Sequence, residues 1–69
     1  MVEVFVTNVE GEVNATSLVS VMLKSLPNSR ITFDLDDCDR ILRVEGENIS
    51  QGGIISMIES HGWTCRVLE

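Results

Sequence analysis

Cys38, His61 and the carboxylates of Asp36, Asp37 and Asp39 are the residues whose chemistry could hold an ion in this chain. Thiolate, imidazole and carboxylate together make a workable zinc set. Glu10 and Glu12, on either side of Gly11 and close to Asn14, form a second polar group. Carboxylates and an amide are hard-oxygen ligands that suit Mg or Ca, and without several of them converging they bind even those ions weakly. The stretch 9–14 contains no cysteine, histidine, lysine or arginine, so it lacks the usual nucleophiles, soft-metal ligands and phosphate clamps. Acidic side chains just before a helix also have a simpler use. They interact favourably with its N-terminal dipole, by about 0.3–1 kcal/mol when exposed.

These residues must be positioned by the elements on either side. Val2, Val4 and Val6 alternate with Glu3, Phe5 and Thr7, the period-two pattern of a strand with one buried face, here expected to be the valine face and to end near Val9. From Asn14 the pattern changes to helical spacing, with Ala15, Leu18, Val19, Met22, Leu23 and Leu26 forming an apolar stripe. Asn14 is the expected N-cap, and Pro27-Asn28 ends a helix over 15–26 because Pro has no N–H to extend it. Ile31, Phe33 and Leu35 alternate with Thr32, Asp34 and Asp36 in a second strand, and Leu42 and Val44 alternate with Ile41, Arg43 and Glu45 in a third. The polar segment 37–40 between them is short enough for a hairpin. Ile54, Ile55 and Ile58 mark a second helix, capped by Asn48 or Ser50 and stopped at Gly62 after His61, with Gly52-Gly53 weakening its first turn. Trp63, Cys65 and Val67 then share the inward parity of a last strand.

The order strand, helix, strand, strand, helix, strand predicts an α+β protein, a ferredoxin-like βαββαβ sandwich with a four-stranded antiparallel sheet and both helices on one face. That closure gathers three connections at one end: 9–14, the hairpin around Cys38, and 61–63. The strand order also puts the Cys38 hairpin near one edge and the His61 turn near the other. A single ion, about 2.0–2.3 Å from each ligand, is then out of reach of both, and so is a Cys38–Cys65 disulfide, whose alpha carbons must lie within about 7 Å. His61 reads more simply as a cation at a helix C-terminus, and Met22 and Met57 as core fillers.

The 69 residues make one domain, and such a chain buries roughly 60% of the surface its unfolded form exposes, so modest stability is expected. Eleven acidic against five basic residues, a formal charge of -6, oppose binding to phosphate backbones or anionic membrane. No basic segment followed by an apolar run opens the sequence, and no apolar stretch approaches the roughly 20 residues of a membrane span. Two cysteines far apart in sequence fit a reducing compartment, so a cytoplasmic protein is expected. The sequons at Asn14 and Asn48 read as helix-start chemistry rather than glycosylation sites.

With its elements in this order, the chain resembles the heavy-metal-associated domain, the small module of copper chaperones and metal-pumping ATPases. The resemblance covers nearly the whole length. It is carried by the Val-rich first strand, Leu26-Pro27-Asn28 where the family often has Leu-Pro-Gly, the hairpin between Asp34 and Val44, and Ile58-Glu59-Ser60-His61-Gly62-Trp63 where it often has Ile-Glu-x-x-Gly-Tyr. The family binds Cu(I) through Gly-Met-Thr-Cys-x-x-Cys in the first turn, two thiolates suiting a soft ion. Three registers are open here: Asn14 and Ser17, Glu12 and Ala15, or Glu10 and Val13 stand at the cysteine positions. None supplies a thiolate. The resemblance therefore implies a degenerate member that keeps the scaffold without its copper ligands, and no cofactor is expected.

Acylphosphatases share the topology, but they need an Arg in the first turn, where this chain has Glu10 and Glu12. No Ser-His-Asp or Cys-His pairing suggests another catalytic arrangement, so no enzyme is expected. RNA-recognition modules of this topology read bases with sheet-face aromatics, and the outer face predicted here offers Phe5 alone. A binding or interaction module remains, acting through a protein partner or self-association. Its expected contact residues are Phe5, Ile41 and Leu68 on the outer sheet face and Trp63 near the loop end. The alternative is Zn, hard-cation or small-ligand binding at the loop end, with Cys38, His61, Glu10 and Glu12 as candidates.

Overall fold

The computed structural model describes residues 1–36 and 40–69. The elements are β1 (Val2–Thr7), α1 (Glu12–Ser25), β2 (Arg30–Asp34), β3 (Ile41–Glu45), α2 (Gln51–Ser60) and β4 (Cys65–Val67). The strands form one sheet in the order β2-β3-β1-β4, and every neighbouring pair is antiparallel. The protein is therefore α+β, with four antiparallel strands and two helices among the described residues. Neither helix is long and apolar enough to cross a membrane.

One hydrophobic cluster holds the layers together. Leu18 and Met22 of α1 and Ile54 and Ile58 of α2 meet Phe5, Ile31, Leu42, Val44 and Cys65 from the sheet. Burying side chains of this size stabilises the fold by about 1.5–3 kcal/mol each before entropy is counted.

The first strand is turned over relative to its sequence reading. Phe5 is 0% exposed and Thr7 is buried, whereas Val2 is 49% exposed and Val4 and Val6 are half-buried. A strand offers only two faces, and the covered one carries Phe5 together with Thr7, whose hydroxyl finds both an acceptor and a donor there. Val9, just past the strand, shares the parity of Phe5 and is also fully buried. The other strands follow their sequence pattern, with Leu42 and Val44 inward and Ile41, Arg43 and Glu45 outward.

The first helix starts three residues earlier than its sequence suggests. Gly11, at φ 82 and ψ 144, stands at the N-cap, a backbone region closed to side-chain-bearing residues. Asn14 is not the cap; its side-chain amide donates back to the Glu10 carbonyl at 2.8 Å from inside the first turn. Leu23 lies off the buried stripe at 37% exposed, and Ala15, Leu18 and Met22 carry it. For α2 the cap is Ser50, whose hydroxyl accepts from the Gly53 N–H at 3.1 Å. The other expected candidate, Asn48, instead takes a left-handed turn conformation. Gly62, at φ 90, closes α2 as expected, and its N–H donates to Glu59.

Candidate functional site

The loop end comes together as its topology requires. The Thr7 hydroxyl donates to the Arg40 carbonyl at 2.7 Å and accepts from the Val9 N–H at 3.2 Å. The Asn8 carboxamide oxygen accepts from the Thr64 N–H at 2.7 Å, which ties the first turn to the approach of β4. The Arg40 guanidinium lies 3.6 Å from the Glu10 carboxylate, an open surface pair of the kind worth about 0–1 kcal/mol. These contacts fix the loops against one another and engage Glu10 electrostatically.

The ion-binding candidates among the described residues do not form a cluster. Glu12 is exposed at the start of α1, where it interacts with the helix dipole. His61 caps the far end of α2, and its Nδ1 donates to the Met57 carbonyl at 2.9 Å. The Ser60 hydroxyl donates to the same carbonyl at 2.8 Å, so both side chains are engaged in ending the helix. Cys38, with Asp37 and Asp39, lies outside the described residues. Among the described residues no three His, Cys, Asp or Glu side chains are grouped to hold an ion. Cys65 is a free, buried thiol, and burial together with the nearby Glu59 carboxylate pushes its pKa up to about 11. It stays protonated at neutral pH and supplies no thiolate nucleophile.

Of the expected contact residues, two are where a partner could reach them. Ile41 and Leu68 are on the outer face of the sheet, Leu68 at 44% exposed. Phe5 is not; contrary to expectation, the turned-over strand seals it in the core, out of a partner's reach. Trp63 is half-buried and packs against the core cluster, which makes it an anchor of the fold.

The turned-over strand puts Val2, Val4 and Val6 on the outer face instead. Val6 stands opposite Ile41 and Val4 opposite Arg43, while the Leu68 N–H donates to the Val4 carbonyl at 2.9 Å. Val2, Val4, Val6, Ile41 and Leu68 thus form one apolar stripe centred on β1, reaching β3 on one side and the residue after β4 on the other. Arg43 and Arg66 flank it, and Arg30 lies on the same face across from Glu45. This face carries three of the five basic residues of a chain with net charge -6, against the carboxylates of Asp34 and Glu45.

No family model matches the chain, and no curated protein or solved structure matches it.

The stripe was legible in principle. Phe5 and Val9 are both odd-numbered, and a buried aromatic on that parity forces the three valines outward. The contrary signal was the run of three valines itself, because β-branched side chains favour a pleated surface on either face.

Proposed function

We propose that this chain is a non-catalytic interaction module on a ferredoxin-like scaffold, resembling a heavy-metal-associated domain without its copper-binding cysteine pair, and that it binds protein through the outer face of its sheet. The observation that carries this reading is the apolar stripe of Val2, Val4, Val6, Ile41 and Leu68 set between Arg43 and Arg66. The strand order β2-β3-β1-β4 supports the scaffold. An apolar strip with guanidinium groups along it suits a protein segment whose apolar side chains alternate with carboxylates. Apolar contact supplies affinity, and the arginines select partners of opposite charge. The rest of the chain is predominantly acidic and repels the same segment.

The test is a titration of labelled protein with a synthetic peptide of alternating Leu and Glu, followed by amide shifts, with a Leu-Lys peptide as control. Saturable shifts at Val4, Val6, Ile41, Arg43 and Arg66 with the acidic peptide alone are expected, and Val4→Asp should abolish them. Shifts confined to the loop end, or equal responses to both peptides, would overturn the proposal.

A further inference from the structure

Among the described residues β2 is an edge strand, paired with β3 on one side only. The register determines which of its backbone groups are free. The Gly46 N–H donates to the Met1 carbonyl at 2.9 Å, which makes Glu3–Val44 and Phe5–Leu42 hydrogen-bonded pairs in the same ladder. Residues 41, 43 and 45 must then turn their N–H and C=O groups the other way, toward β2, where they face Asp34, Thr32 and Arg30. The N–H and C=O groups of Ile31 and Phe33 are left pointing outward from the sheet.

The sequence of that edge, Arg30-Ile31-Thr32-Phe33-Asp34, is complementary to itself when reversed. In an antiparallel pair centred on Thr32, Arg30 of each copy stands opposite Asp34 of the other, and Ile31 stands opposite Phe33. The charged pairs fall on the outer face. The Ile–Phe pairs fall on the helix side, where the half-buried Phe33 and Leu35 border a groove against Val19 of α1. Within one chain Arg30 and Asp34 are about 13 Å apart along the strand, so they cannot pair with each other. The outward N–H and C=O groups of Ile31 and Phe33 meet their counterparts in this register. Sliding by one pair one way sets Ile31 against Ile31 and Arg30 against Thr32; sliding the other way sets Phe33 against Phe33 and Asp34 against Thr32, and Arg30 then finds a carboxylate only at Asp36, beyond the end of β2. Opposite charges, Thr–Thr and aromatic–β-branched pairs are the cross-strand combinations that stabilise antiparallel sheets.

We propose that two copies of this chain join through β2, antiparallel about a two-fold axis at Thr32, to form a continuous eight-stranded sheet. The association uses the sheet edge and leaves the apolar stripe of each copy uncovered, so it stands independently of the partner binding proposed above. The other edge, β4, has three residues and offers a much shorter ladder.

Sedimentation of the full chain from micromolar to millimolar concentration tests the proposal. A reversible dimer is expected, with amide-exchange protection at Ile31 and Phe33 rising with concentration. Thr32→Glu places like charges against each other at the axis while giving Arg43 of its own chain a partner, so the fold is retained and dimerisation should weaken about tenfold. Asp34→Arg should do the same, and adding Arg30→Asp together with Glu45→Arg, which exchanges the charges across the axis while keeping residue 30 opposite a charge of the other sign in its own chain, should restore the dimer, which a merely unfolded variant would not. A chain that stays monomeric throughout, or a dimer of unchanged strength in Thr32→Glu, would overturn it.

Discussion

Thr7 is the one buried polar residue among those described, and both capacities of its hydroxyl are used, one on the Arg40 carbonyl and one on the Val9 N–H. A buried polar group held this way costs little, whereas one left without partners costs about 1–3 kcal/mol. Cys65 is a different case, a thiol kept neutral by its surroundings. Its pKa rises from 9.0 to about 11, so in the interval between them the folded chain holds a proton that the unfolded chain releases. The unfolded state binds fewer protons there, and stability falls as pH rises through that window. Urea unfolding across alkaline pH should show this loss. Cys65→Ala should remove that share of the slope, and an unchanged slope would mean that other groups carry the alkaline sensitivity.

The element boundaries depend on backbone conformations that hydrophobic spacing does not encode. The apolar positions of α1 were readable, but its start was not, because Asn14 has the composition of a cap while Gly11 has the conformation of one. In α2 the Gly62 stop was readable, while the cap was narrowed only to Asn48 or Ser50, of which Ser50 has both the side-chain chemistry and the geometry. Gly11 and Gly52 should accordingly respond in opposite directions to the same substitution. Gly11→Ala forces a side chain into a disfavoured backbone region and should cost about 1–3 kcal/mol. Gly52→Ala adds a methyl group in open space within a helix and should stabilise by about 0.5–1 kcal/mol. Denaturant midpoints of the two variants check the pair, and a Gly11→Ala protein as stable as the parent would mean that α1 starts elsewhere.

At the scale of the molecule, class and element order followed from sequence periodicity, while the character of the sheet's outer face did not. Periodicity fixes which residues share a face, but it leaves open which face is covered. In β1 the covered face is that of Phe5 and Thr7, and this turns three valines outward and makes a polar face into an apolar stripe. The acidic and basic residues are correspondingly segregated, with three arginines on the sheet and most carboxylates elsewhere. If copies associate through β2, folding and assembly are linked, and the denaturation midpoint should rise with protein concentration for the parent but stay constant for Thr32→Glu. Equal behaviour of the two would separate folding from assembly.

Trp63 gives this molecule an optical property of its own. It is the only tryptophan, there is no tyrosine, and it packs half-buried against the core where the chain enters β4, the strand at the opposite edge of the sheet from β2. Intrinsic emission from the chain therefore comes from a single chromophore, placed to change colour when the core opens and to stay dark to events at the far edge. Unfolding can be followed without any label, and a dimer that forms or dissociates leaves that signal unchanged.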